Sequence, residues 1–366
     1  MQSLLVFIPG MMGSQLREHS PIGAGKLLWS EDMPRTMKQV AANPTLLQWS
    51  NNPHQPEGVL DTIDVWIKKI EICRRLRDEM TRLESAGDFE YAEFSYDWRQ
   101  NIFDVPQELG EWLRKKHGFK IDAQGKQERE DEPRLNLIAH SMGGLVSAIS
   151  MSRGFIHPEN VRRLICIGTP FYGSPGAFRG LYSLGYLPGM EWLSWAINIR
   201  KNWRTCKKNL RHTFQSFVST YQLLPHQCDT FTDVKNVGKI NPLAGPVPVP
   251  PPHVAPQSVV TDLHSQLLAF ENLLKSLPHL KDHYHFIFSD NQRNTESEYR
   301  ARASAAKDTY ERIRNLSWDD GDGTVLVKSA TMRDELSLSR RRVVGVPHME
   351  MCNDKDVVDL VKQYLA

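Results

Sequence analysis

The feature that most constrains this chain is a serine set between two apolar runs of different period. Leu135 to Ala139 reads as a compact apolar strand, and Leu145, Val146, Ile149 and Met151 form a helical stripe directly after Ser141-Met142-Gly143-Gly144. Strand, tight turn and helix within seventeen residues (135–151) are the start of a βαβ unit, which implies an α/β architecture. Ser141 stands at the turn. Small residues flank it at Ala139 and Gly143, as a strained strand-to-helix corner requires, because larger neighbours clash across it.

The rest of the chain repeats this alternation. Leu4 to Ile8 reads as a buried strand that ends in the glycine-punctuated turn Pro9-Gly10-Met11-Met12-Gly13. Ile70, Cys73, Leu76, Met80 and Leu83 recur at helical spacing, with Gly87 as the stop. Tyr91 to Tyr96 reads as a strand and Val105 to Lys116 as a helix with Leu109, Trp112 and Leu113 on one side. Strands follow at Val161–Ile167, Tyr284–Phe288 and Arg342–Val346, and Val357, Val358, Val361 and Leu365 mark a C-terminal helix. The expectation is a single domain over 1–366, with a mostly parallel sheet and helices on both faces.

Two stretches break the alternation. From about Glu18 to Pro56 the sequence is irregular, and from Ser174 to Lys281 no strand is evident. Both read as insertions over the domain. The run Pro242 to Pro256 reads as a stiff loop rather than a polyproline ligand, and the mixed-charge stretch Gln124 to Arg134 as a solvated connection.

The formal net charge is only +2, from 45 basic and 43 acidic residues, so no overall field favours nucleic acid or an anionic membrane. No apolar stretch approaches the ~20 residues of a membrane-crossing helix, and the N-terminus lacks a basic leader, so a cytoplasmic protein with at most peripheral membrane contact is expected. Cys73, Cys166, Cys206, Cys228 and Cys352 are odd in number and scattered, which suits reduced thiols. No cofactor motif is present in this reading.

A serine hydroxyl needs a base to take its proton and a carboxylate to orient that base. On strand–turn–helix scaffolds of this type the chain order is serine, acid, histidine. Of thirteen histidines, His348 alone lies beyond the acidic cluster Asp319-Asp320-Gly321-Asp322, on a loop after an apolar run. Asp319, Asp320 and Asp322 compete as the acid, and the Gly-Asp-Gly-Thr-Val setting on a tight turn favours Asp322. A calcium loop is the competing reading of this string. Yet the twelfth position, counted from Asp319 or Asp320, falls on Ala330 or Thr331 rather than glutamate. Acyl transfer also creates an oxyanion that must meet fixed N–H donors. The backbone amide of Met142 supplies one, and the Gly10–Gly13 turn offers that of Met11; both methionine side chains also suit core packing.

Taken together these motifs resemble the lecithin:cholesterol acyltransferase family, which includes lysosomal phospholipase A2 and phospholipid:diacylglycerol acyltransferases. Ile8-Pro9-Gly10-Met11-Met12-Gly13-Ser14-Gln15-Leu16 is similar to its oxyanion loop, Tyr96-Asp97-Trp98-Arg99 to its Y-D-W-R signature and His140 to Gly144 to its elbow. Gly168-Thr169-Pro170, Gly321 to Val325 and His348 complete six motifs in order. The resemblance implies an α/β-hydrolase fold, Asp322 as the acid, and Met11 and Met142 as oxyanion donors. It further implies a lid over 18–58 and a cap over 174–281. The lid region has no cysteine, unlike the secreted animal members. Asp97 and Arg99 read as a structural ion pair. The implied activity is lipid acyl-ester hydrolysis or O-acyl transfer, with phospholipid as the first substrate class; the alternatives are an esterase for a soluble small-molecule ester and a non-catalytic binding module on the same scaffold.

Overall fold

A computed structural model describes residues 3–20, 25–49, 54–65, 68–132, 134–182, 209, 212–225, 231–233, 256–290, 295–303, 310–332 and 339–366. The first strand, β1 (Leu4–Ile8), is buried at all five positions. Its alternate residues feed two separate cores: Leu4, Val6 and Ile8 one, Leu5 and Phe7 the other. A strand covered on both faces needs a helical layer on each side, which is the physical basis of the α/β arrangement.

The short strands β2 (Ser14–Arg17), β3 (Leu27–Trp29) and β4 (Gln55–Val59) follow, and β3 and β4 pair antiparallel with β2 on either side. Helix α1 (Met33–Ala42) lies between β3 and β4. The hairpin β5 (Thr62–Val65) and β6 (Lys68–Glu71) leads into α2 (Arg74–Ala86), then β7 (Glu90–Glu93) and α3 (Val105–His117). The unit β8 (Leu135–His140), α4 (Met142–Ser152) and β9 (Val161–Ile167) contains the serine corner. Helix α5 (Pro175–Tyr182), the helix Val218–Gln222, strand β10 (Phe231–Asp233) and the helix Pro256–Ser276 occupy the next stretch. Strand β11 (Tyr284–Asp290), the antiparallel hairpin β12 (Thr295–Ala303) and β13 (Tyr310–Asp319), β14 (Ser339–Val344) and the helix Lys355–Leu365 complete the chain.

The main sheet has the order β14-β11-β9-β8-β1-β7, and every pairing in it is parallel. Helices α3, α4 and Pro256–Ser276 pack on one face through Leu109, Leu145, Ile149 and Leu267. Helix α2 and the C-terminal helix cover the other through Leu76, Met80, Val357 and Val361. From β1 the chain builds outward to β7, then returns to β8 on the opposite side of β1. The loops leaving β1 and β8 therefore diverge, and a crevice opens at their carboxyl ends, where open α/β sheets bind ligands. Ser141 and the Gly10–Gly13 turn both lie there.

Several expectations needed correction. Ile70 belongs to β6, where it pairs with Ile63, and the helix begins only at Arg74. The strand expected over Tyr91–Tyr96 is regular only over Glu90–Glu93. The Glu18–Pro56 stretch is not irregular throughout, since it holds β3, α1 and the start of β4. Strand β10 falls inside the stretch read as strandless; three residues that pair with the remote β12 leave no periodic trace. The β12–β13 hairpin had no hydrophobic signal in the sequence. Trp192, Trp195, Trp203, Cys206, Cys228 and Pro242 to Ala255 lie outside the described residues. Among the described residues, Cys73, Cys166 and Cys352 are buried free thiols, and no helix is long and apolar enough to cross a membrane.

Candidate active site

Helix α4 is buried at every position from Met142 to Met151, so it must approach the sheet closely. Gly143 permits this, because a Cβ there would lie 2.3 Å from the Ile8 carbonyl oxygen. The corner between β8 and α4 forces Ser141 into φ 52°, ψ −124°, a conformation that costs a non-glycine residue about 1–3 kcal/mol. Its N–H donates to the Ile167 carbonyl at 2.9 Å, fixing the corner to the end of β9. Ser141 is half-buried at the crevice.

His348 opens a 3-10 turn, His348–Asn353, just after β14, and is 6% exposed. Its Nε2 lies 2.9 Å from Ser141 Oγ and its Nδ1 2.6 Å from Asp322 Oδ2. A carboxylate only accepts, so Nδ1–H donates to Asp322 and the Nε2 lone pair faces the serine hydroxyl. The other Asp322 oxygen, Oδ1, accepts the N–H groups of Thr324 (2.9 Å) and Val325 (2.7 Å). The His348 N–H donates to the Asp322 carbonyl at 2.9 Å. Asp322 and His348 thus hold each other by main chain as well as side chain.

The three competing aspartates separate clearly. Asp322 is 3% exposed and faces His348. Asp319 is exposed and accepts the Asp320 N–H through Oδ1, while the Asp320 carbonyl takes the Val327 N–H.

The turn after β1 closes on the serine. The Gly13 N–H donates to the Gly10 carbonyl at 3.1 Å, and a Cβ on Gly10 would stand 2.7 Å from Ser141 Cβ and 3.2 Å from its Oγ. Met11 follows Gly10 and is partly buried against the core. Met142 is the first residue of α4, where a backbone N–H has no intrahelical acceptor, and its side chain is buried in the core. The packing role expected of this side chain and the donor role expected of its backbone are therefore compatible.

Two neighbours of the site, His140 and Gly168, lie in the quoted motifs without a role having been assigned to them. His140 is buried, and its Nε2 donates to the His348 carbonyl at 3.1 Å with ring centroids 4.9 Å apart. Burial, reinforced by the His348 ring, lowers the His140 imidazole to about 3, so it is neutral. Gly168 underlies the Asp322–His348 pair at φ 58°. A Cβ there would lie 3.2 Å from both Asp322 Oδ2 and His348 Nδ1. A glycine ending a buried strand was the available clue to Gly168.

The Asp97–Arg99 pair is buried and bidentate, at 2.6 and 2.8 Å, as the sequence suggested. Asp97 also accepts the His54 N–H, and Arg99 donates to the carbonyls of Leu47 and Gln48.

The model of the lecithin:cholesterol acyltransferase family matches residues 74–237, a span that includes Asp97, Arg99 and Ser141. Comparison with curated proteins gives no match. Among solved structures, a chain of the Tle4–Tli4 complex is similar over 99% of this chain and 97% of its own, with TM-score 0.57 and 13% identity. The mature form of Bacillus licheniformis lipase BlEst2 is similar at TM-score 0.40 and 13% identity, over 100% of this chain and 92% of its own. Lipase 1 from Pelosinus fermentans is similar at TM-score 0.40 and 10% identity, over 100% and 98%. The chain thus shares its α/β fold, a parallel sheet with helices on both faces, with the chain of the Tle4–Tli4 complex, and its residues 74–237 match the model of the lecithin:cholesterol acyltransferase family.

Proposed function

We propose that this protein is a serine-dependent lipolytic enzyme that hydrolyses an acyl ester or transfers the acyl group to an alcohol. The observation that carries this reading is the His348 ring, set 2.9 Å from Ser141 Oγ and 2.6 Å from Asp322 Oδ2. In this scheme His348 takes the Ser141 proton as the oxygen attacks the ester carbonyl, and Asp322 stabilises the resulting imidazolium. The backbone amides of Met11 and Met142 receive the oxyanion. Collapse expels the alcohol, protonated by His348, and leaves an acyl-serine. Water or a second alcohol then repeats the sequence in reverse. A neutral His140 beside His348 places no like charge against the imidazolium.

The same reading assigns 18–58 as a lid-like insertion and 174–281 as a cap, and takes a phospholipid as the first substrate to try, on the family match at 74–237. Peripheral contact with a lipid surface is supported by Trp318, 50% exposed and four residues before Asp322. A cytoplasmic setting is supported by the three described free thiols.

The test incubates the protein and its Ser141→Ala variant with a mixed phospholipid and neutral-lipid emulsion and identifies products by mass. Free fatty acid marks a hydrolase, and a new ester marks an acyltransferase. Full activity in Ser141→Ala sinks the proposal.

A further inference from the structure

The turn that carries Met11 is strained and is held from outside. Gly10 to Gly13 forms a four-residue turn closed by Gly13 N–H to the Gly10 carbonyl, with Met12 in its third position at φ 63°. Positive φ at that position is the geometry of a type II turn, which normally takes glycine or asparagine. Nothing in the methionine itself favours it. The Gly10 carbonyl faces Gly13, and in a planar trans peptide the N–H of the next residue points the opposite way. The Met11 N–H direction therefore depends on this turn keeping its form.

Three buried side chains fix the carbonyls of the loop. Tyr96 Oη donates to Pro9 O at 2.8 Å, Trp98 Nε1 to Ser14 O at 3.0 Å and Trp29 Nε1 to Met12 O at 2.9 Å. Only Trp29 acts on the strained residue. It is fully buried, edge-on to Trp98 at 5.2 Å, and it ends β3, which pairs with β2 next to the loop. An indole N–H with no other role in so apolar a setting is a directional constraint as well as packing.

We propose that Trp29 is a positioning residue for the oxyanion loop: its indole N–H, by holding the Met12 carbonyl, keeps the Gly10–Gly13 turn in the form that presents the Met11 N–H to the acyl oxygen. The proposal rests on Ser141 being the nucleophile. Without the bond the Met12–Gly13 peptide is free to turn, the Gly13 N–H leaves the Gly10 carbonyl, and the Gly10–Met11 peptide that carries the Met11 N–H turns with it. The transition state then loses a donor while the ground-state ester, which needs none, binds as before.

The test is Trp29→Phe, which keeps an aromatic ring and deletes the N–H, assayed with a p-nitrophenyl acyl ester and an alkyl trifluoromethyl ketone. Removing an oxyanion donor outright costs about 100- to 1000-fold in kcat, so a displaced donor is expected to cost about tenfold to a hundredfold. KM stays within about threefold, and the ketone, whose bound form is an oxyanion, weakens by the same factor as kcat/KM. A purely structural role lowers the melting temperature without that parallel. Should Trp29→Phe not fold, benzothienylalanine in place of Trp29 keeps the bicyclic ring and still lacks the N–H. An unchanged kcat in the folded variant, or a loss confined to KM, overturns the proposal while Ser141→Ala remains inactive. Activity in Ser141→Ala instead overturns the catalytic reading on which it stands.

Discussion

Around Pro9–Ser14 the backbone is held by side chains that arrive from Trp29, Tyr96 and Trp98, all far away in sequence or on other elements. Around Asp322 and His348 it is held by the main chain: Thr324 and Val325 N–H on one carboxylate oxygen, and His348 N–H on the Asp322 carbonyl. The difference follows from what each half must present. In the proposed mechanism the Asp322–His348 half offers side chains, which a tight local turn can aim. The Gly10–Gly13 half is proposed to offer an N–H, whose direction is that of the peptide plane, and planes in a loop stay put only when their carbonyls are engaged. The first half should therefore break through its own residues and the second through its distant supports.

The largest effect is expected in the acid–base half. Asp322→Asn keeps the side-chain volume but leaves His348 without the carboxylate that selects its tautomer. Loss of about 10,000-fold in kcat is the expected scale for such a change. Asp320→Asn, at the neighbouring aspartate whose carbonyl takes the Val327 N–H, should stay within about threefold. Equal, small losses in the two variants would remove Asp322 from the role of acid.

The second effect is on stability. Asp97 and Arg99 are buried at 3% and 0% side-chain exposure, and together they tie His54, Leu47 and Gln48 to the sheet. Asp97→Asn strands a buried guanidinium, and breaking a pair of this kind costs about 3–5 kcal/mol. Urea unfolding measures it. A loss under about 1 kcal/mol would mean that this support is dispensable and that the two halves differ less than their contacts suggest.

His140 links the halves, since it adjoins Ser141 and holds the His348 carbonyl. His140→Leu deletes the donor to the His348 carbonyl, and one net hydrogen bond of about 1–1.5 kcal/mol corresponds to roughly a tenfold fall in kcat. His140→Gln retains an N–H donor and is expected to recover most of it. Equal rates for leucine and glutamine would show that the cavity, and not the hydrogen bond, matters here.

These contacts also mark what could be read in the sequence. Leu135–His140 and Val161–Ile167 announce themselves because a parallel strand buried on both faces leaves an apolar run. Ser141, Asp322 and His348 were accessible because their chemistry restricts residue type and chain order, and the structure brings the three side chains into contact. The supports were not. Trp29 lay in a stretch that looked irregular, since β3 has three residues and its partner β2 four. A donor to a backbone carbonyl leaves no periodicity and no motif. The β12–β13 hairpin was missed for a related reason, because its sequence, TESEYRARA and YERIRNLSWD, carries no apolar run.

The smallest effect concerns pH and follows from His140 being neutral. Its imidazole titrates near 3 in the folded protein against an ordinary value of 6.5, chiefly because the charged form is desolvated. Between those values the unfolded chain binds a proton that the native state refuses, so stability is full above pH 6.5 and is lost as pH falls toward 3. His285, lowered to about 4 mainly by burial, acts in the same direction and is present in both proteins compared. Relative to His140→Leu, the wild type should therefore lose about 1 kcal/mol more between pH 6.5 and 5.5, read from urea midpoints at the two values. Parallel pH profiles would mean that His140 takes up its proton in the fold. A charged ring 4.9 Å from His348 would then oppose the imidazolium that the proposed mechanism requires, and the elbow histidine would hinder the base that it holds.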